Sequence, residues 1–170
     1  MFEIITDRLI ITEFTPDMAQ AVHENSLDED NRRFVPDEVF ETVEEAKETI
    51  EFLISCYEGS EGPFIYPIII KDSGENIGYV QLVPMDDQSN EIGYHIAAKY
   101  TGKGYATEAV KAFLPVIAKK YGINEVQGIC LSDNIASKCV LRKSGFEPVF
   151  EGVGDYQGEK RDVFKSVWRA

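Results

Sequence analysis

Thr101-Gly102-Lys103-Gly104-Tyr105-Ala106-Thr107-Glu108-Ala109-Val110 is the stretch on which the reading of this chain turns. Two glycines one residue apart let backbone N–H groups approach a ligand with no Cβ in the way. Beyond them Ala106, Ala109, Val110, Phe113 and Ile117 recur at helical spacing, which predicts a helix over Tyr105–Tyr121. The unpaired N–H groups and the dipole of a helix N-terminus favour phosphate oxygens, and Lys99 and Lys103 add positive charge. The same glycines would also serve a tight strand-to-helix turn that binds nothing, and the pair alone does not choose between the two. Two common phosphate loops fit poorly. A P-loop needs Ser or Thr after Gly-Lys, and Gly104 stands there. A dinucleotide fingerprint needs a third Gly or Ala three residues after the second glycine, and Thr107 stands there.

Working outward, the chain alternates strand and helix signals. Glu3–Phe14 reads as a strand, and Thr15-Pro16-Asp17 as the start of a helix running to about Glu24. Residues 25–41 are acidic and irregular. Thr42-Val43-Glu44-Glu45 is a capping box, followed by Ala46, Ile50, Leu53 and Ile54 on one helix face, with Gly59 as the stop. Phe64–Lys71, Ile77–Val83 and Glu91–Ile96 read as strands, and Glu125–Leu131 as another. Ala136–Ser144 is a short helix closed by Gly145. Phe146–Val153 and Val163–Trp168 form a last strand pair across a loop bearing Gly154 and Gly158. Pro115 should bend the Tyr105–Tyr121 helix or loosen a turn of it. The order β-α-α-β-β-β-α-β-α-β-β is a mixed α/β fold, a central sheet with helices on both sides. One domain over residues 1–170 is the expectation at this length.

Composition narrows the function. The chain carries 17 Lys+Arg against 30 Asp+Glu, a net charge of -13, so a long phosphate backbone is a poor partner and a nucleic-acid binder is not expected. The longest apolar stretch, around Pro63–Ile70, is too short to span a bilayer, and the opening residues do not read as a signal peptide. Three cysteines with no CxxC pair suggest reduced thiols and a cytoplasmic location. Cys130 and Cys139, without a base partner, read as buried small hydrophobes. Two histidines far apart exclude a His-rich metal site, and no metal is expected. The charge is uneven. Residues 1–62 alone hold 17 acids and 4 bases, whereas residues 99–143 hold 3 acids and 8 bases. The basic segment suits a local anionic ligand, although lysines on solvated helix faces would look the same.

Several segments together resemble the GCN5-related N-acetyltransferases, closest to the group that acetylates ribosomal proteins (the RimJ/RimL type). Thr101–Ala106 is similar to that family's acetyl-coenzyme A loop, Gln/Arg-x-x-Gly-x-Gly/Ala, with Gly104 and Ala106 at the last two slots and Thr101 departing at the first. Asn134-Ile135-Ala136-Ser137 through Lys143-Ser144-Gly145-Phe146 resembles the family's N-x-x-S…K-x-G-F segment. Glu91-Ile92-Gly93-Tyr94 resembles its central strand, and Thr6-Asp7-Arg8-Leu9 resembles how this group begins. The resemblance implies the acyl-CoA N-acyltransferase fold, with a mostly antiparallel sheet. It implies acetyl-CoA as cosubstrate and an amine acceptor attacking directly in a ternary complex. It leaves room for a homodimer.

The resemblance also implies site residues. Backbone amides over Thr101, Gly102, Lys103, Gly104, Tyr105, Ala106 and Thr107 would cradle the pyrophosphate, and Tyr94, His95 and Ile96 would run along the pantetheine and offer an N–H to the thioester carbonyl. Asn134 and Ser137 complete the cofactor side. Lys99, Lys103, Lys138 and Arg142 are candidates for the 3′-phosphate. Glu91 is the candidate base, with His95 second on the same strand face by period-two alternation; a solvent-facing carboxylate and a sheet-edge histidine are the plainer readings of those two residues. Many family members use a tyrosine seven residues after the motif asparagine as acid. Leu141 stands there, so Ser137 takes that role, unless it only stabilises the helix start. The acidic first third suggests a cationic acceptor, with Asp28–Asp30 and Asp37-Glu38 nearest, or it serves solubility alone. A non-catalytic acyl-CoA sensor on the same fold is the alternative reading, and a dinucleotide enzyme the more distant one.

Overall fold

A computed structural model describes residues 1–170. Eight strands form one sheet in the order β1-β2-β3-β4-β5-β6-β8-β7: β1 Glu3–Ile5, β2 Leu9–Thr12, β3 Phe64–Ile70, β4 Asn76–Pro84, β5 Asn90–Ile96, β6 Glu125–Leu131, β7 Glu147–Tyr156 and β8 Glu159–Arg169. Every neighbouring pair is antiparallel except β5 and β6. The helices are α1 Ala19–Ser26, α2 Glu29–Phe34, α3 Val43–Cys56, α4 Tyr105–Tyr121 and α5 Ile135–Lys143.

Each face of the sheet buries its own apolar set. Leu9, Ile11, Tyr66, Val80, Ile92 and Ile96 pack with Ala109, Val110, Phe113 and Ile117 of α4 and Leu141 of α5. On the opposite face Phe14 and Ala19 pack with Ile50 and Leu53 of α3. The helices are therefore split across the two faces by the apolar stripes that the sequence shows.

Several expectations need correction. The first strand is a hairpin, because Thr6-Asp7-Arg8 turns the chain: the Thr6 N–H bonds the Leu9 carbonyl at 2.9 Å, and the Leu9 N–H returns to Thr6 Oγ1 at 2.9 Å. The "irregular" residues 25–41 hold α2, capped by Asp28, whose side chain accepts from the Asn31 N–H. Polar composition hid this helix because its single buried anchor is Asn31, not an apolar residue. Thr15 makes no side-chain cap; its hydroxyl bonds Asp17 instead. The last hairpin is tighter than expected. Its turn is Gln157-Gly158, both at positive φ, and Gly154 lies inside β7. Helix α4 is continuous through Pro115, and α3 ends at Cys56, three residues before Gly59.

Candidate active site

The glycine loop is built as the sequence suggests, but both glycines are held by conformation. Gly102 and Gly104 have φ of +76° and +81°, in the left-handed region, and Gly104 is the N-cap of α4. The first helical hydrogen bond runs from the Glu108 N–H to the Gly104 carbonyl at 3.1 Å. The N–H groups of Gly102 through Thr107 meet no acceptor within the protein. A Cβ on Gly102 would meet nothing within 4 Å, and one on Gly104 only an Arg8 nitrogen at 3.5 Å, so both positions are glycine for their φ rather than for lack of room.

The segment Thr6–Arg8 explains its own presence here. Thr6 Oγ1 and Arg8 Nε donate to Glu108, each at 2.7 Å, and Arg8 Nη1 donates to the Lys103 carbonyl at 2.9 Å. The Arg8 guanidinium also lies 4.4 Å from the Tyr105 ring centre. Burial would raise the Glu108 carboxyl, but the bonds from Thr6 and Arg8 outweigh it and hold it below the usual range. The first hairpin thus clamps the loop and the first turn of α4.

Beside the loop the sheet opens. Parallel β5 and β6 pair only at Glu91 and Gln127. The Ala97 N–H donates to the Ile77 carbonyl at 2.9 Å and sets the alternation along β4 and β5. By that alternation His95 is bonded to β4, whereas Ile92, Tyr94 and Ile96 turn their backbone groups into the gap beside β6. Of Tyr94, His95 and Ile96, only Tyr94 and Ile96 turn their N–H toward the gap. The His95 ring turns to the other face with Glu91, its Nε2 3.3 Å from Asp28 Oδ2.

A cavity of about 590 Å³ runs through this gap. On the α5 side it reaches Thr101, Ala106, Asn134 and Ser137; on the opposite side it reaches Glu38, Glu91 and Tyr156. Asn134 Oδ1 accepts from the Ser137 N–H at 3.1 Å and caps α5, while the Ser137 hydroxyl lies 2.7 Å from the Tyr94 hydroxyl. Burial pushes the Tyr94 phenol well above its usual range. Leu141, in the slot of the absent tyrosine, is 1% exposed in the core.

Glu91 is half-buried rather than a solvated turn-end group. Burial raises its carboxyl, Asp87 adds to the rise, and Lys165 opposes it. Two lining residues, Glu38 and Tyr156, and the neighbouring Asp28 escaped the sequence reading as site groups with a role of their own. Glu38 was grouped with the acidic loop, yet its Oε2 is buried without a hydrogen-bond partner, and burial pushes its carboxyl up to about 7 against the opposing effect of Gln81. The Tyr156 phenol is raised first by burial and then by Glu91. Asp28 is not a free surface acid; beyond capping α2 it accepts from the Ala98 N–H at 3.1 Å. The Asp-x-x-Asn capping pattern was the one signal that could have identified it.

Other groups are committed elsewhere. Lys138 is 13% exposed and bonds Glu151 at 2.6 Å, which leaves Lys99, Lys103 and Arg142 as the exposed cations of the four named above. Cys130 is buried, and burial raises its thiol; Cys139 is exposed, contrary to expectation. No group of His, Cys, Asp and Glu is arranged to hold a metal ion, and no helix is long and apolar enough to cross a membrane.

Free amides at a glycine-capped helix thus lie beside a sheet opened between two parallel strands. Residues 8–147 match the acetyltransferase (GNAT) domain family, and the chain belongs to it. It is 32% identical over 143 residues to the uncharacterized N-acetyltransferase YnaD of Bacillus subtilis, covering 84% of this chain and 81% of that protein. Its fold superposes on a GNAT-family acetyltransferase from Bacillus anthracis with a TM-score of 0.83 at 24% identity, covering 99% and 98% of the two chains. The ribosomal-protein-S5-alanine acetyltransferase of Vibrio fischeri gives a TM-score of 0.83 at 16% identity, covering 99% and 97%.

Proposed function

We propose that this acetyltransferase moves the acetyl group of acetyl-CoA to a primary amine by direct attack across the β5–β6 gap. The observation that carries the reading is that Thr101 and Ala106, which flank the free amides at the start of α4, meet the open edge of β5 in one cavity. Six consecutive free N–H groups fit a pyrophosphate. Lys99 and Lys103 border the same loop as exposed cations. The backbone of Tyr94 and Ile96, beyond the Glu91–Gln127 pairing, fits the amide-bearing pantetheine arm, and an N–H of Tyr94 or Ile96 would stabilise negative charge as it builds on the thioester oxygen.

The amine enters from the opposite side. There it must give up a proton to a carboxylate, its nitrogen then forms the bond to the carbonyl carbon, and the C–S bond breaks. Glu91 is our first choice of base, acting directly or through water, since burial holds its carboxyl above the usual range. A second reading gives the role to Glu38, favoured by its unpaired buried oxygen. The departing thiolate would take a proton from the Ser137–Tyr94 hydroxyl pair, which replaces the tyrosine that Leu141 excludes. Asp30 and Glu38 on the cavity wall support a cationic acceptor.

Thiol release from acetyl-CoA, followed across a panel of amines and N-terminal peptides, tests the reading. Release that depends on an amine is the expected result. Acetyl-CoA should also raise the melting temperature by mass action. Stabilisation without release for any amine would favour the sensor alternative.

A further inference from the structure

A second cavity, of about 220 Å³, lies on the acceptor face between α1, α3 and strands β3–β5. It touches the reaction cavity along Glu38, Tyr79 and His95, which line both. Its walls are apolar, from Phe14, Val22, Phe40, Ile50, Leu53 and Ile65.

The polar atoms on this chamber are unusual. The protein has eight buried side-chain nitrogens and oxygens without a hydrogen-bond partner, and four of them belong to residues lining this chamber: Asn31 Oδ1, Glu38 Oε2, Asn76 Nδ2 and His95 Nε2, the last of which faces Asp28 Oδ2 at 3.3 Å without hydrogen-bond geometry. The two amides are oriented by their other bonds. Asn31, 1% exposed, uses its nitrogen to donate to the carbonyls of Ser26 at 2.9 Å and Glu38 at 3.0 Å, so its oxygen is left free. Asn76 uses its oxygen to accept from the Gly78 N–H at 3.1 Å, so its nitrogen is left free. Buried polar atoms are nearly always paired, and these four therefore call for a partner from outside the chain. They offer two acceptors, one of them a carboxylate, together with an amide donor and a ring nitrogen of either role.

We propose that this chamber receives the body of the acceptor, and that the acceptor is a compact primary monoamine with an apolar body and one oxygen-bearing group. Its amine faces Glu38 and Asn31 at the boundary with the reaction cavity, and its oxygen accepts from Asn76. The inference rests on the N-acetyltransferase reading above. Size and charge both select for such a molecule. At about 30 Å³ per water-sized group the chamber holds about seven such groups. Glu38 is the one carboxylate there with a buried, unpaired oxygen; Asp37 also lines the chamber but is exposed. A polyamine or a basic peptide would bring further charges against apolar walls with nothing to pair them.

The test compares primary amines at saturating acetyl-CoA, read by thiol release: methylamine, an amino alcohol with a four- or five-carbon branched body, a bulky aromatic amine larger than the chamber, spermidine and a basic peptide. The branched amino alcohol should show a KM at least tenfold below that of methylamine, with the bulky amine, spermidine and the peptide all poorer. Val22→Phe, which fills the chamber, should remove that advantage and leave the KM for acetyl-CoA unchanged. Thr49→Leu, a milder filling, serves if Val22→Phe does not fold, and the wild-type series needs neither. Preference for spermidine or the peptide, or a size-independent KM unaffected by filling, would overturn the proposal and mean that water satisfies the four atoms. Failure of the parent reading looks different: no amine would release thiol, and acetyl-CoA would not stabilise the protein.

Discussion

Glu38 and Glu91 are two carboxyls raised by burial on one cavity wall, and their pH behaviour separates them. A base works in its ionised form, so activity falls as pH drops through its pKa. If Glu38 takes the proton, the acidic limb of kcat/KM lies near pH 7, and Glu38→Gln abolishes that limb while lowering the rate by roughly 10²–10⁴. If Glu91 does, Glu91→Gln lowers turnover more at low pH than at high pH, and Glu38→Gln leaves the limb in place. Stability gives an independent reading of Glu38. Its folded pKa is raised, so its contribution is fully present below the ordinary carboxyl range and is lost as pH rises through about 7. Thermal unfolding at two pH values checks this: Glu38→Gln should match wild type near pH 4 and exceed it at pH 8 by on the order of 1–3 kcal/mol. Leu141 gives a third test at this scale. A Cβ on Gly128 would lie 2.5 Å from Leu141 Cδ2, so strand and helix are in close contact there. Leu141→Tyr should destabilise by about 1–3 kcal/mol through overpacking and bring no gain in turnover, which denaturation and thiol-release assays would report.

The N-terminus of α4 is an element shaped by two demands, a left-handed glycine and a row of free amides. They can be separated with a matched pair of substitutions. Gly104 and Gly158 have φ of +81° and +82°, and neither would place a Cβ against backbone. Alanine at either should cost about 1–2 kcal/mol from the left-handed conformation alone. Only Gly104→Ala should also weaken acetyl-CoA, because it distorts the row of free amides at the start of α4. Calorimetric titration of both variants checks this, and equal binding by the two would place the phosphate cradle elsewhere. Helix α2 is the other decisive element. Its cap, Asp28, also holds the Ala98 N–H in front of the glycine loop. Acceptor wall and cofactor loop are thereby joined through one carboxylate.

Across the whole molecule the acidic surface is a field rather than a site. Asp28 is engaged in capping, so charge reversal there would damage the fold and confuse the result. Glu29 and Asp30 are exposed and free for such a test. Changing both to lysine should raise the KM for a cationic amine several-fold at low ionic strength. The effect should shrink at about 0.15 M, where the screening length is about 8 Å. Initial rates at saturating acetyl-CoA across a salt series would show it, with kcat little changed. An acceptor held in an apolar chamber meets this field mainly on the way in, so a salt-sensitive KM and a size-selective KM are compatible.

The apolar periods of Tyr105–Tyr121, Val43–Cys56 and the strands depend only on residue order, and so does the Gly102–Gly104 loop. Those local patterns determined the mixed α/β class, the helices on both faces and the glycine loop at the start of α4. They also singled out Glu91, Asn134 and Ser137, which the fold brings to one cavity. Non-local contacts decided the rest. Whether a carboxyl is solvated or desolvated depends on what packs over it, so Glu38 looked like any loop acid until α2, Gln81 and the sheet enclosed it. The bond between Tyr94 and Ser137 spans 43 residues of chain, and the clamp from Arg8 to Glu108 spans 100. The chamber is made of helices and strands that no sequence window contains together. Burial and convergence are properties of packing, and only the tertiary structure supplies them.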